Sequence, residues 1–259
     1  MEVLAGILGI VVQLAFFGAI AWVIVRFLRH RGDAGGEVEV DRATSVRRLF
    51  VYGLMLVTLT LGAVGATMVG RSLLTSGWSD EERTALALGL AFMLVAGPAY
   101  VFLLRFARGR LRDDVGERTS LAWAAYLNIA LASSLIVSTV TVHDLLAGVF
   151  GADDFEWRGI APVIVWAAVW AMHWFWLRPA HGLRGDLHLA VGSSTGLVAM
   201  MIGLGGVAYV AGDEIYASIV ERLPAGHEPP GIATWLVATG VGATVWVWHW
   251  SRSYLRAER

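Results

Sequence analysis

The chain has 259 residues, 57% hydrophobic and only 16% charged, with a formal net charge of −1, whereas soluble domains carry about 25% charged residues. It has no Cys, and every basic residue is Arg. Disulfides, iron–sulfur ligation and c-type haem attachment are thereby excluded, and so are the lysine amines that a Schiff base or a Walker-type phosphate loop needs.

A hydrocarbon core about 30 Å thick takes roughly 20 apolar residues as a helix, the form that satisfies its own backbone in lipid. Seven such spans are expected, near 3–25, 49–70, 85–105, 121–142, 160–177, 189–211 and 232–250. The first is span-length, follows Glu2 in place of a basic leader and precedes no small-residue cleavage site, so it reads as a membrane helix and not a cleavable signal. Arg26, Arg29, Arg31, Arg42, Arg47 and Arg48 come next; Arg105, Arg108, Arg110, Arg112 and Arg118 join spans three and four. Arg178 and Arg184 follow span five, and Arg252, Arg256 and Arg259 follow span seven. These sixteen fall on one side, leaving Arg71, Arg83, Arg158 and Arg222 on the other. The positive-inside rule makes the sixteen cytoplasmic, with the N-terminus outside and the C-terminus inside. The outer connections are acidic: Asp80-Glu81-Glu82, then Asp144, Asp153, Asp154 and Glu156, then Asp213, Glu214, Glu221 and Glu228.

Within this order a unit recurs. Trp170-Ala-Met-His173-Trp174 returns 76 residues on as Trp246-Val-Trp-His249-Trp250, and Gly97-Pro98-Ala-Tyr100 is a weaker copy. Arg71, His143 and Asp213 recur at spacings of 72 and 70. A fixed period means duplicated supersecondary units. The expected architecture is therefore an all-α polytopic bundle of seven transmembrane helices in a single membrane domain, 1–259. An N-terminal span and basic loop (1–44) precede three parallel two-helix repeats at 45–110, 117–180 and 185–256. Small residues at spacing four (Gly62 and Ala66; Ala130, Ser134 and Ser138; Gly192 and Gly196) let backbones approach, so the first helix of each unit is expected inside. Gly97-Pro98 is a candidate kink. Asp213–Leu223 reads either as an amphipathic helix on the outer surface or as an extension of span six.

The residues that suggest chemistry are few. His173 and His249, at matching depth, form a candidate cofactor-binding pair, as bis-His ligands of a b-type haem. The plainer reading is an interfacial aromatic belt, with Trp and His wetted at headgroup depth. Arg71, His143, Asp144, Asp213 and Glu214 would gather in a polar outer cluster if the repeats close into a ring, with His143 as a titratable group. Asn128 and the span-four serines Ser133, Ser134 and Ser138 either line a polar path or hydrogen-bond between helices. No Asp, Glu or Arg falls in the middle of a span, which tells against a proton-coupled pump. His181, Asp186 and His188 offer three ligands in one loop but lack a fourth for zinc, so no metal site is expected. Ser193 or Ser194 has no nucleophile elbow, and nothing beyond the basic loops suggests nucleic acid.

The two Trp-x-x-His-Trp copies, with Arg47-Arg48…Tyr52 and Arg118…Tyr126 heading first helices, resemble a bacterial domain-of-unknown-function family of polytopic membrane proteins built from such repeats. The resemblance implies an architecture over residues 45 to 255 and no activity. The expectation is an uncharacterised, non-enzymatic protein of the bacterial inner membrane, a sensing or scaffolding module or a subunit of a larger membrane assembly. Its partners would be the lipid bilayer and other membrane subunits. A small-solute or ion pathway and a haem-binding electron carrier are the alternatives.

Overall fold

The computed structural model describes residues 42–75, 77–151, 154–177, 183–220 and 231–257. The chain divides into two compact units, Met1–Thr44 and Ser45–Arg259, and the second holds nearly all of the described residues. Span 3–25, Arg26, Arg29, Arg31, Asp153, Arg178, His181, Glu221, Arg222, Glu228 and Arg259 lie outside the described residues.

Among the described residues there is no strand. The helices are α1 (Arg42–Leu73), α2 (Asp80–Asp113), the single-turn α3 (Val115–Arg118), α4 (Leu121–Val149), a 3-10 turn (Trp157–Gly159), α5 (Ile160–Leu177), α6 (Leu183–Val220) and α7 (Ile232–Ala257). Six of them are long and apolar enough to cross a membrane, which is compatible with a multi-pass membrane protein, and each contains one of the spans expected from 49–70 onward.

Local chemistry fixes the ends. Ser79 Oγ accepts from the Glu82 backbone N–H while Glu82 accepts from the Ser79 N–H, so one acid of the Asp80-Glu81-Glu82 run forms a capping box for α2. Asp114 caps α3 and Ser120 caps α4. Gly151, at φ 72°, supplies the left-handed residue just beyond α4. Pro98 lies within α2 without ending it.

Along α6 one open reading is decided and one expectation is corrected. Asp213 continues the helix as far as Val220, so the extension reading holds over the described part of Asp213–Leu223 and no separate surface helix forms there. His188, read as a loop residue, stands inside the helix, because Leu183 begins the hydrogen-bond ladder well before the apolar run does.

Close approaches hold the helix pairs. A Cβ on Gly196 would strike the Trp246 backbone nitrogen and lie 2.8 Å from Gly242 O; one on Gly203 would meet Thr239; one on Gly206 would enter the Trp235 ring. Steps of seven and three residues up α6 are met by steps of seven and four down α7, an antiparallel seam closed by backbone. In the first pair the touching residues are Gly65 and Gly89, where added Cβ atoms would lie 2.7 and 2.9 Å from the other's carbonyl oxygen. Gly62, expected on that face, has nothing within 4 Å of its Cβ position. In each pair the first helix is the more buried over its most apolar stretch: 33% against 11% for α1 and α2, 33% against 28% for α4 and α5, 22% against 11% for α6 and α7.

The main buried cluster sits at the arginine-rich end. Tyr52 and Met55 of α1, Leu103 and Ala107 of α2, Tyr126, Leu127 and Leu131 of α4, Trp174 of α5 and Leu189 of α6 form it. Arg108 lies over Trp176 at 5.2 Å, and Arg252 over Trp248 at 3.8 Å and Trp174 at 5.4 Å. The guanidiniums thus cover an aromatic floor, a contact worth about 0.5–1 kcal/mol each at exposed sites.

Candidate functional site

Three groups of polar side chains adjoin the main buried cluster. The first is built on Glu117, whose carboxylate is buried, with its side chain 5% exposed, and accepts from Arg48 Nε at 2.8 Å, Arg47 Nη2 at 3.3 Å and the Tyr52 hydroxyl at 3.0 Å. Arg48 Nη2 also reaches Asp114 at 3.1 Å. One carboxylate thereby ties α1 to α3, and the four charges cancel. What desolvation Asp114 suffers raises its carboxyl, but the backbone N–H groups of Gly116 and Glu117 and the Arg48 guanidinium outweigh this and hold it below the usual range. An acid depressed in the folded state adds stability above its unfolded value and gives it up as pH falls through the folded one. The Asp114 contribution is therefore complete near neutrality and is lost only in acid.

The second group is a directed hydrogen-bond chain. His173, fully buried, has Nδ1 2.8 Å from the Val169 carbonyl, an obligate acceptor, so Nδ1 carries the proton and Nε2 the lone pair. The Tyr126 hydroxyl at 2.9 Å therefore donates to His173 Nε2, and the Tyr100 hydroxyl at 3.1 Å donates to Tyr126. Trp123 stacks on Tyr126 with centroids 5.5 Å apart, and Trp176 lies edge-on to His173 at 5.0 Å. Tyr126→Phe leaves a buried imidazole lone pair and the Tyr100 hydroxyl without their partner, at about 1–3 kcal/mol. Its thermal midpoint in detergent should fall accordingly, whereas Tyr254→Phe on the exposed end of α7 should leave the midpoint unmoved.

The third group is His249 with His188. His249 repeats the local geometry of His173: it is 1% exposed, and Nδ1 lies 2.8 Å from the carbonyl four residues back, Val245. The flanking tryptophans also match, Trp170 stacked on Trp174 at 5.6 Å and Trp246 on Trp250 at 6.1 Å. His249 Nε2 has no hydrogen-bond partner. Its ring is edge-on to that of His188, centroids 5.3 Å apart, and His188 in turn lies 5.3 Å from Trp174. Gly192 makes the room, since a Cβ there would fall on the His249 ring.

These placements correct the belt reading for the imidazoles. In Trp-x-x-His-Trp the three aromatic residues share one helix face at spacings of three and four, so the tryptophans shield the histidine and the bundle takes it in. Bis-His haem ligation by His173 and His249 would require Tyr126 to release Nε2 and the stacked Trp170 and Trp174 to part.

At the opposite end, His143 and Asp144 are the two of the five expected cluster residues joined by a direct contact. His143 Nδ1 is 3.0 Å from Asp144 Oδ1 and Nε2 is 3.3 Å from the Thr234 carbonyl, bridging α4 to α7. Both neighbours are acceptors, so both contacts are hydrogen bonds only when both ring nitrogens carry protons. Arg71 instead acts on Glu156: the Arg158 hydrogen bonds at 2.6 and 2.7 Å, with the Arg71 field, hold that carboxyl below its usual range. Asp213 and Glu214 make no hydrogen bond or ion pair to the other three among the described residues. Among the described residues the Asn, Ser and Thr side chains of α4 make no hydrogen bond to another helix: the Asn128 amide donates to Ala124 O, Ser133, Ser134 and Thr139 bond carbonyls three or four residues back, and the buried Ser138 Oγ has no hydrogen-bond partner.

Glu117, Tyr126 and His188 as partners were not found from the sequence. The available signal was Glu117 itself, an acid in a connection otherwise dominated by arginine. Residues 48–156, less than half of the chain, match the family model described as a domain of unknown function (DUF5671). The match takes in Arg48, Tyr52, Glu117, Tyr126 and His143, while both Trp-x-x-His-Trp copies lie beyond it. No curated protein and no solved structure matches the chain.

Proposed function

We propose that this chain is a non-enzymatic helical module of a bacterial inner membrane, with its arginine-rich end cytoplasmic, that serves as a sensing or scaffolding subunit of a larger membrane assembly. The observation that carries the reading is where the polar groups of the apolar helices go. The hydroxyls of Ser133, Ser134, Thr139 and Thr141 on α4 are turned back onto carbonyls of their own helix, and the buried Ser138 Oγ meets no partner across a gap; backbone contacts close the α6–α7 seam. A solute path needs convergent polar groups facing one another across a gap, so this arrangement favours a packed module over a conduit. The arginine distribution supports the orientation. A cationic, aromatic-lined end held rigid by Glu117 and its two arginines suits a docking platform for membrane subunits and anionic lipid headgroups better than it suits nucleic acid, for which no base-reading element is present among the described residues.

Two measurements decide between module and pathway. In native membranes solubilised with mild detergent, the chain should co-migrate with other membrane proteins, well above the combined mass of one 28.0 kDa chain and its detergent belt. Purified and reconstituted in liposomes, it should leave an imposed cation gradient intact. A chain that runs alone and collapses the gradient overturns the proposal in favour of the pathway.

A further inference from the structure

The end of α2 gathers arginines that the Glu117 clasp leaves aside. Arg105, Arg108, Leu111 and Arg112, with Arg118 from α3, line an open hollow of about 610 Å³, and no acid lines it among the described residues. The acids of the adjoining turn face the other way, Asp114 and Glu117 toward Arg48 and Arg47 on α1. Arg118 is the wall. It folds back from α3 to donate to the Leu111 carbonyl and, at 2.8 Å, to the Arg112 carbonyl, two of the acceptors that a helix end leaves open. Arg108 lies over Trp176 at 5.2 Å, a contact that orients a guanidinium without neutralising it. Arg105 and Arg112 are exposed, and neither makes an ion pair or side-chain hydrogen bond among the described residues.

The same helix face decides what can enter. Counting back along α2, Arg112, Arg108, Arg105, Val101 and Leu94 follow at steps of four, three, four and seven, which is one side of an α-helix. Val101 is 45% and Leu94 74% exposed. Arg105 and Leu94 are eleven residues apart, about 16 Å of helix, which is close to half of a hydrocarbon core of about 30 Å. Three guanidiniums thus head an exposed apolar track one leaflet deep.

We propose that this end of α2 binds one anionic phospholipid, its phosphodiester on Arg105, Arg108 and Arg112 and an acyl chain along Val101 and Leu94. The site rests on the reading that the arginine-rich end lies at the cytoplasmic membrane surface, since only there do phosphates and acyl chains meet one helix face together. Guanidinium suits the task, because its fork holds two phosphate oxygens at once. Charge sets the class of lipid. A zwitterionic headgroup brings an ammonium with its phosphate, and the three guanidiniums repel it; an anionic headgroup brings only the charge that they attract. Basic pockets at the cytoplasmic ends of membrane helices hold headgroups of this kind. Arginines that merely orient a chain have no need to converge, whereas these share one face and one hollow.

The test adds phosphatidylglycerol to the purified full-length chain in a non-ionic detergent and counts bound lipids by native mass spectrometry. One phosphatidylglycerol per chain should be retained, at least about tenfold more tightly than phosphatidylcholine with the same acyl chains. Inorganic phosphate, which has the charge without the chains, should not displace it at the same concentration. Arg105→Gln and Arg112→Gln should each weaken retention about fivefold, and together about twenty-five-fold. Arg110→Gln removes the same charge from beside the hollow and not from its lining, and should change retention by less than about twofold. Should the glutamine variants not fold, the thermal midpoint of the wild type serves, since phosphatidylglycerol must raise it and phosphatidylcholine must not. Equal binding of phosphatidylcholine, displacement by inorganic phosphate, retention unchanged in the double variant, or an equal loss in Arg110→Gln would each overturn the site. Each of these leaves the co-migration and gradient results where they stand, and a chain that joins no assembly yet retains its lipid overturns the module alone.

Discussion

Glu117→Ala should destabilise the folded chain by about 3–5 kcal/mol, the penalty for removing one partner from a buried ion pair. The magnitude follows from what is left behind. The Arg48 side chain is only 15% exposed and loses its 2.8 Å contact, and the buried Tyr52 hydroxyl loses its acceptor. Arg47, at 34% exposed, recovers water and contributes little to the loss. Glu117→Gln keeps the shape and an acceptor for Tyr52 but not the charge, so its loss should be smaller than that of Ala and larger than that of Tyr52→Phe. Thermal unfolding in one detergent across these variants gives the order. Glu81→Ala, on the exposed first turn of α2, is the reference and should lie within about 0.5 kcal/mol of wild type. If Glu117→Ala proves no worse than Glu81→Ala, the clasp is not what joins α1 to α3.

That clasp also shows what the sequence could and could not disclose. The apolar runs marked all six long helices, because in lipid only a continuous backbone ladder serves and its length is set by the bilayer. What they did not mark is rotation. A helix apolar all round carries no stripe to say which face turns inward, so nothing in the chain pairs Tyr126 with His173, 47 residues on. The choice of Gly65 over Gly62 for the α1–α2 contact is lost for the same reason. Helix ends were short for a different one: hydropathy stops at the interface, whereas the ladder runs on, and α6 therefore carries His188 on a turn that hydropathy leaves to a loop. Glu117 carries no mark of its own in the sequence: the rule that orients a chain by its arginines gives acids little weight, and burial of this acid is set by packing. The repeated Trp-x-x-His-Trp pattern was legible as a pattern. That its two imidazoles end with different partners, Tyr126 for His173 and His188 for His249, depends on which residue the neighbouring helix presents, and only packing decides that.

The glycines of α6 should separate into two kinds under the same substitution. Gly196→Ala places a Cβ against the Trp246 backbone, 2.7 Å from its Cα and 2.8 Å from Gly242 O. No side-chain rotation relieves a backbone clash, so α6 and α7 must move apart along the seam. Overpacking of this kind costs about 1–3 kcal/mol and sometimes more, and here it also removes the van der Waals contact on which helix pairing in lipid depends. Gly205→Ala, nine residues along the same helix, meets nothing within 4 Å. It only restricts the unfolded chain and should stabilise by about 0.5–1 kcal/mol. The two variants differ by one methyl group each and are matched in hydrophobicity, so opposite shifts in thermal midpoint isolate the seam from any general effect on partitioning into detergent or lipid. Gly242→Ala, which drives a Cβ into Met200 from the other side, should match Gly196→Ala. The double variant should then cost less than the sum, because helices already held apart by the first methyl group have room for the second.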